Sequence, residues 1–250
     1  MEKTGRLKAF SSHMRVALFG ASGGIGRALL DLLVADPHVS EAYAGARRPA
    51  AAAHSKVIPF RFELTDEASV ADAALQISAD GALDLVIVAT GVLHDAALQP
   101  EKTWRDISPD AFARAFAVNA TGPALIAKHF LPLLARDRHT VFAALSARVG
   151  SIEDNRLGGW VSYRASKAAL HQVIRSCAIE LARKNKTATC VSLHPGTVDT
   201  ALSAPFQRGL APERLFTAAF SADRLLSVID GLSPAESGYA FDWNGARIPF

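Results

Sequence analysis

Between Arg15 and Ala35 the chain carries the pattern that most restricts its fold. A short apolar run, Arg15 to Phe19, ends in Gly20-Ala21-Ser22-Gly23-Gly24-Ile25-Gly26. Ala28, Leu29, Leu32, Leu33 and Ala35 then recur at helical spacing and stop before Pro37. The pattern predicts a strand, a tight glycine turn and a helix in direct succession. Such a turn lets the backbone approach a phosphate, and the free amides at the helix N-terminus face its charge. A purely structural turn is the alternative; the strand before and the helix after favour the phosphate site.

The rest of the chain repeats the alternation. Glu41 to Ala46 reads as the second strand. In dinucleotide folds an acidic residue about 20 positions after the glycine turn holds the adenosine ribose hydroxyls. Here Arg47 and Arg48 fill that place. Two guanidiniums suit a 2′-phosphate by charge and by fork geometry, so NADP is favoured over NAD; a solvated loop is the alternative. Val57 to Leu64 reads as a third strand. Asp66 then starts an Ala-rich helix to about Ile77, as its cap or as a contact to an adenine amino group. Leu83 to Ala89 is apolar almost throughout, as in a strand buried on both faces, and Thr90-Gly91 ends it at the edge where ligands bind.

Gln99 to Ile107 reads as a loop. Ser108 caps a long helix with Pro109 in its first turn, running towards Leu134 with bends at Pro123 and Pro132. Asn119 lies among small apolar residues there, and a buried amide needs partners, so it is either a helix-bridging group or an active-site polar group. Thr140 to Leu145 is another strand, ending at Ser146. A loop from Ala147 to Gly159, a helix, a strand at Thr187 to Leu193 and the segment Pro195 to Thr200 follow. Strands and helices alternate without a linker. The expected fold is therefore α/β: one doubly wound parallel sheet of Rossmann type, with helices on both faces.

The helix after the 147–159 loop carries Tyr163 and Lys167. Positions i and i+4 share a helix face, so the phenol and the ammonium can share a pocket. A nearby cation favours phenolate and lowers a pKa otherwise near ~10. An exposed helix face is the alternative for this pair taken alone.

Charge and composition narrow the classes of function. Of the formal charge of +3, residues 1–14 supply most (Lys3, Arg6 and Lys8 against Glu2), which leaves a nearly neutral body and little reason for nucleic-acid binding. No apolar run approaches the ~18 residues of a membrane span. Cys177 and Cys190, the only cysteines, read as buried reduced thiols, no Cys/His cluster has metal-ligand spacing, and a cytoplasmic location is expected. Residues 1–14 read as a flexible leader or an added segment, and 15–250 as one domain.

Taken in order, Gly20-x-x-x-Gly24-Ile25-Gly26, Asp66, Ala89-Thr90-Gly91, Asn119, Ser146, Tyr163-x-x-x-Lys167 and Pro195-Gly196 make the chain similar to the short-chain dehydrogenase/reductase family. The segments around Ser146, Asp154 to Trp160 and Ser162 to Lys167 most resemble its C-factor-like branch, named after a bacterial cell-contact signalling protein. The resemblance implies an NADP(H)-dependent oxidoreductase that interconverts a carbonyl and a secondary alcohol. It gives Tyr163 as acid/base, Lys167 lowering its pKa and holding the nicotinamide ribose, Ser146 binding the developing oxyanion, and Asn119 positioning a water. Gly20, Ser22, Gly24, Ile25 and Gly26 would cradle the pyrophosphate, Asp66 would face the adenine, and Gly91 would lie beside the cofactor. Pro195, Gly196, Val198 and Thr200 would border the nicotinamide. The resemblance also implies a homodimer or homotetramer through the helices at 109–135 and 160–184.

The chain departs from the family pattern at Phe19, in the usual Thr place, at Ala89-Thr90 for Asn-Ala, and in a longer Ser146-to-Tyr163 gap. A dinucleotide-dependent regulatory or signalling protein with little turnover is the competing expectation. The stretch from Ala201 to Leu226 should supply much of the substrate wall.

Overall fold

In the computed structural model, which describes residues 5–96 and 98–250, the apolar runs pair side by side as parallel strands. In chain order they are β1 (Met14–Phe19), β2 (Val39–Ala46), β3 (Val57–Arg61), β4 (Leu85–Val88), β5 (Thr140–Leu145) and β6 (Ala188–His194). A two-residue ladder follows, β7 (Thr197–Val198) with β8 (Leu215–Phe216), and then β9 (Ala240–Asp242) and β10 (Arg247–Ile248). The main sheet has eight strands in the order β10-β9-β6-β5-β4-β1-β2-β3. Every pair is parallel except β10 on β9. The chain leaves β1 in one direction for β2 and later returns to its other side with β4. That reversal opens a crevice at the carboxyl ends of β1 and β4.

Side chains alternate across the strands and fill two cores. Ala17 and Phe19 of β1 point to one face, where they pack with Ile126, Phe130, Leu170 and Ile174. Met14, Val16 and Leu18 point to the other, against Leu29, Leu33, Leu225 and Ile229. The helices are α1 (Gly24–Ala35), α2 (Glu67–Ser78), α3 (Pro109–Phe116), α4 (Gly122–Phe130), α5 (Val161–Lys184) and α6 (Ala218–Asp230). α1 and α6 cover the second face; α2, α4 and α5 cover the first. Phe19 is fully buried, edge-on to Phe60, Phe62 and Phe130 at centroid distances of 5.4, 5.0 and 4.7 Å. An aromatic cluster thus takes the place where the family pattern has a threonine. Pro59 lies in the middle of β3, the outermost strand, where a missing N–H breaks no ladder.

Two expectations change here. The long helix after Ser108 is interrupted by a π turn at Ala117–Thr121, which separates α3 from α4 and carries Asn119. Pro123 has no N–H, so the carbonyl of Asn119 cannot receive the ordinary i+4 bond, and the turn widens just before it. The second change concerns residues 5–13, part of the expected flexible leader. Leu7 and Phe10 are buried in the core layer of α1 and α6. The amides of Arg6 and Leu7 donate to the Asp36 carboxylate at 2.6 and 3.2 Å, and that of Ala9 to Asp230 at 2.8 Å. Two apolar side chains three residues apart were enough to dock this segment, so it is packed rather than free.

Candidate active site

The glycine turn is built tightly. Gly20 has φ +87°, and a Cβ on Gly26 would stand 2.0 Å from the Gly20 carbonyl oxygen, which only a glycine tolerates. A Cβ on Gly24 would stand 2.6 Å from the Thr200 methyl, so the segment after β7 closes directly over the turn. Pro195 is fixed there by the Ser221 hydroxyl on its carbonyl at 2.8 Å, Gly196 has φ +80° against Phe216, and Val198 is buried. Ile25 packs into the core behind the turn.

Two cavities run from this turn along the carboxyl edge of the sheet. One, of about 380 Å³, is lined by Gly20, Ser22, Leu64, Thr65, Thr90 and Gly91, among others. The other, of about 950 Å³, is lined by Arg47, Arg48 and Arg61 together with Ser22, Phe62 and Glu63. They share Ser22, Arg47, Phe62 and Glu63, so they form one crevice. Arg61 was missed in the sequence. Parallel pairing sets it beside Ala46, the residue before Arg47, and only that register brings it to the site. None of the three arginines has a carboxylate partner among the described residues. Thr90 Oγ1, buried in the wall, also has no partner. A crevice with an open glycine turn at one end, an orphaned hydroxyl in its wall and three unpaired guanidiniums at the other fits a phosphorylated dinucleotide. Asp66 is committed through Oδ1 to the amides of Ala68 and Ser69 at 3.0 and 3.5 Å, the cap that its position predicts.

Farther along the edge, β4, β5 and α5 converge. The Asn119 amide is fully used: Oδ1 accepts Val92 N–H at 2.9 Å, and Nδ2 donates to the Val92 carbonyl at 2.8 Å and to Ser166 Oγ at 3.0 Å. It ties the chain leaving β4 to the π turn and to α5. A Cβ on Gly91 would lie 3.5 Å from Asn119 Oδ1 and 3.6 Å from Lys167 Nζ, which places these three together. Lys167 Nζ donates to the Leu145 carbonyl at 3.0 Å, joining α5 to the end of β5 directly before Ser146.

Tyr163 and Lys167 are both buried. Burial pushes the phenol above its ordinary value and the ammonium down to about 8. The expected lowering of the Tyr163 pKa by Lys167 is therefore absent here: Nζ stands 5.9 Å from the ring centroid and spends a proton on Leu145, while both groups are desolvated.

The N-terminus of α5 is held by the end of the preceding loop and by Glu101, a residue that the sequence did not single out. Gly158, Gly159 and Trp160 are successive left-handed residues, with φ of +64°, +65° and +51°. Trp160 has a Cβ and tolerates this only because the surroundings fix it. Its amide donates to the Glu101 carbonyl at 2.6 Å, and Arg164 Nε holds the Gly159 carbonyl at 3.0 Å. The buried Glu101 carboxylate accepts Ser162 N–H at 3.1 Å, a negative group at the positive end of the helix that carries Tyr163. In the expected 201–226 wall, Phe206 reaches this region, packing on Trp160 at 5.1 Å, whereas Phe216 and Phe220 turn to Trp243. Leu93, Ala147 and Tyr163 form the buried part of the same cluster.

Ser146 is buried too, and its Oγ lies 2.8 Å from His171 Nε2. His171 was also missed, although a signal existed: 163, 167 and 171 form one i, i+4, i+8 stripe.

Among the described residues no group of three or more His, Cys, Asp or Glu side chains is placed to hold a metal ion, and no helix is long and apolar enough to cross a membrane.

Residues 15–210 match the short chain dehydrogenase family. The C-signal protein of Myxococcus xanthus is 36% identical over 145 residues, covering 58% of this chain and 82% of that protein. An uncharacterized oxidoreductase of Schizosaccharomyces pombe is 27% identical over 254 residues, 92% of this chain and 96% of its own. Among solved structures, an NADPH-bound carbonyl reductase from chicken fatty liver has a TM-score of 0.83 at 26% identity, over 96% of this chain and 100% of that one. With the glycine turn at the sheet's switch point and Ser146, Tyr163 and Lys167 gathered at the same edge, the chain belongs to the short-chain dehydrogenase/reductase family, as an NAD(P)-dependent enzyme.

Proposed function

We propose that the protein is an NADP(H)-dependent carbonyl reductase whose proton donor is Tyr163. The observation that carries this reading is the burial of the Tyr163 phenol and the Lys167 ammonium one turn apart on α5, with Nζ 3.6 Å from where a Cβ on Gly91 would stand. When bound, the cofactor supplies a hydride to the carbonyl carbon. Tyr163 gives the oxygen its proton, and Ser146 donates a hydrogen bond to that oxygen as charge gathers on it. Lys167 holds the nicotinamide ribose. The Asn119 side chain is spent on Val92 and Ser166, so its main-chain carbonyl, deprived of an i+4 donor by Pro123, is the group that would position a water in the proton path. Gly20, Ser22, Gly24, Ile25 and Gly26 would receive the pyrophosphate, with Asp66 near the adenine, Gly91 beside the ribose, and Pro195, Gly196, Val198 and Thr200 along the nicotinamide. Arg47 and Arg48, with Arg61 added, would bind the 2′-phosphate, which favours NADP. The NADPH-bound carbonyl reductase among the structural neighbours agrees with this choice.

NADPH oxidation with a panel of aldehydes and ketones tests the reading, on the wild type and on Tyr163→Phe. Turnover by the wild type and none by a variant that still binds NADPH supports it. Equal turnover by both would refute it. The 36% identity to the C-signal protein favours one second reading, a dinucleotide-dependent signalling protein with little turnover. Tight NADPH binding with a biological effect that survives Tyr163→Phe would select that reading. We also propose a homodimer or homotetramer through the faces of residues 109–135 and 160–184, to be tested by light scattering.

A further inference from the structure

Ser146 has one proton and must place it on the substrate oxygen to stabilise charge there. Its hydroxyl already has a neighbour, His171 Nε2 at 2.8 Å, and that bond has two possible directions. If Nε2 is bare, it accepts the Ser146 proton, and the hydroxyl can then only accept from the substrate side. His171 Nδ1 would in that case carry a hydrogen. Nδ1 is buried, with no partner among the described residues, so this tautomer leaves an orphaned N–H, the rarest kind of unsatisfied group in a folded interior. If Nε2 carries the hydrogen, imidazole donates to Ser146 Oγ, the Ser146 proton is free to turn outward, and the orphan at Nδ1 is only a lone pair.

We propose that His171 is the positioning residue for Ser146: its Nε2–H donates to Ser146 Oγ and thereby holds the serine as a hydrogen-bond donor towards the substrate oxygen. The inference rests on the carbonyl-reductase reading for its kinetic consequence, though not for its geometry. His171 sits one turn beyond Lys167 on α5 and is 3% exposed, so the bond is sheltered from water and its direction is fixed by the fold. Burial, with the Lys167 ammonium nearby, holds the imidazole down to about 4, which keeps it neutral and makes the tautomer the only variable. A serine–histidine nucleophile would need the opposite direction, with Nδ1–H anchored by an acceptor. No such acceptor is present among the described residues.

The test has two arms. The full chain, labelled with ¹⁵N-histidine and saturated with NADPH, is examined by long-range ¹H–¹⁵N correlation at neutral pH, with His171 assigned from the signal missing in H171Q. The Nε2–H tautomer is expected, with its ring nitrogens shifting in Ser146→Ala; the Nδ1–H tautomer overturns the proposal. In the kinetic arm, H171L removes the donor and should lower kcat about 10- to 100-fold with NADPH affinity unchanged, somewhat less than deleting an oxyanion donor outright. H171Q, whose amide can donate to Oγ, should stay within about threefold of wild type, and H171L should add nothing in a Ser146→Ala background. Equal losses in H171Q and H171L, or additive losses with Ser146→Ala, overturn the proposal. If H171L does not fold, H171Q and the tautomer decide. Should the wild type reduce nothing, the carbonyl-reductase reading fails, while the tautomer still judges the Ser146–His171 bond.

Discussion

Two regions at the carboxyl edge of the sheet are built on opposite principles. Around Tyr163 the polar side chains are buried and already bonded within the protein: Asn119 to the Val92 backbone and to Ser166 Oγ, Lys167 to the Leu145 carbonyl, Ser146 to His171, and Glu101 to the Ser162 amide. In the second region Arg47, Arg48 and Arg61 stand exposed, without carboxylate partners among the described residues. The first region is organised before any ligand arrives, and the second becomes organised only by a ligand. Loss of a group from the first should cost chemistry or stability, whereas loss from the second should cost affinity alone.

The strongest test of this contrast is Tyr163→Phe. It should reduce kcat by about 10²- to 10⁴-fold, the range for a general acid, with NADPH binding intact by fluorescence titration. Next, Arg47→Ala with Arg48→Ala should weaken NADPH binding by roughly 2–4 kcal/mol and leave NADH nearly unchanged, as for charge-assisted contacts to a single phosphate. Calorimetric titration with both cofactors checks it; equal loss for both would mean that the arginines merely hold the loop, and the contrast would collapse.

Acid sharpens the comparison through the buried end alone. Burial holds His171 and His194 down to about 4. The unfolded chain takes up those protons near ~6.5 and the folded chain does not. Their neutral burial is therefore tolerated fully above the unfolded value, and stability is lost as the pH falls from there through about 4. The loss should approach about 3 kcal/mol for each histidine, read from urea midpoints, and be smaller in H171Q. The smallest expected effect is Asp66→Ala. It removes a helix cap at the exposed side and should cost about 1 kcal/mol of stability with little change in kcat.

How much of this was legible in the sequence depended on how local the signal was. The Tyr163–Lys167 pairing needs only the pitch of one helix, and the cap at Asp66 needs only its next three residues. β1, β4, β5 and β6 were visible as apolar runs because both of their faces are covered. Arg61 reaches the cofactor crevice only through its register with Ala46, and Glu101 reaches Ser162 across 61 residues, so no local pattern could have announced either. The pKa of Tyr163 went the other way from expectation because proximity in sequence fixes a charge nearby but says nothing of the water removed from around both groups. The π turn at Asn119 arises from a proline four residues later, a cue that had suggested a bend but not its form.

Pro59, at the centre of β3, has a consequence beyond the site. β3 is the outer strand of the sheet, and the opposite border, β10, is two residues long. A sheet border is a template that another chain can copy if it offers an unbroken row of amides. Here one border has a gap in that row and the other offers only two residues, so neither presents a long unbroken row of amides. Both borders are thereby poor templates for edge-to-edge pairing by backbone alone, whatever the surface charge.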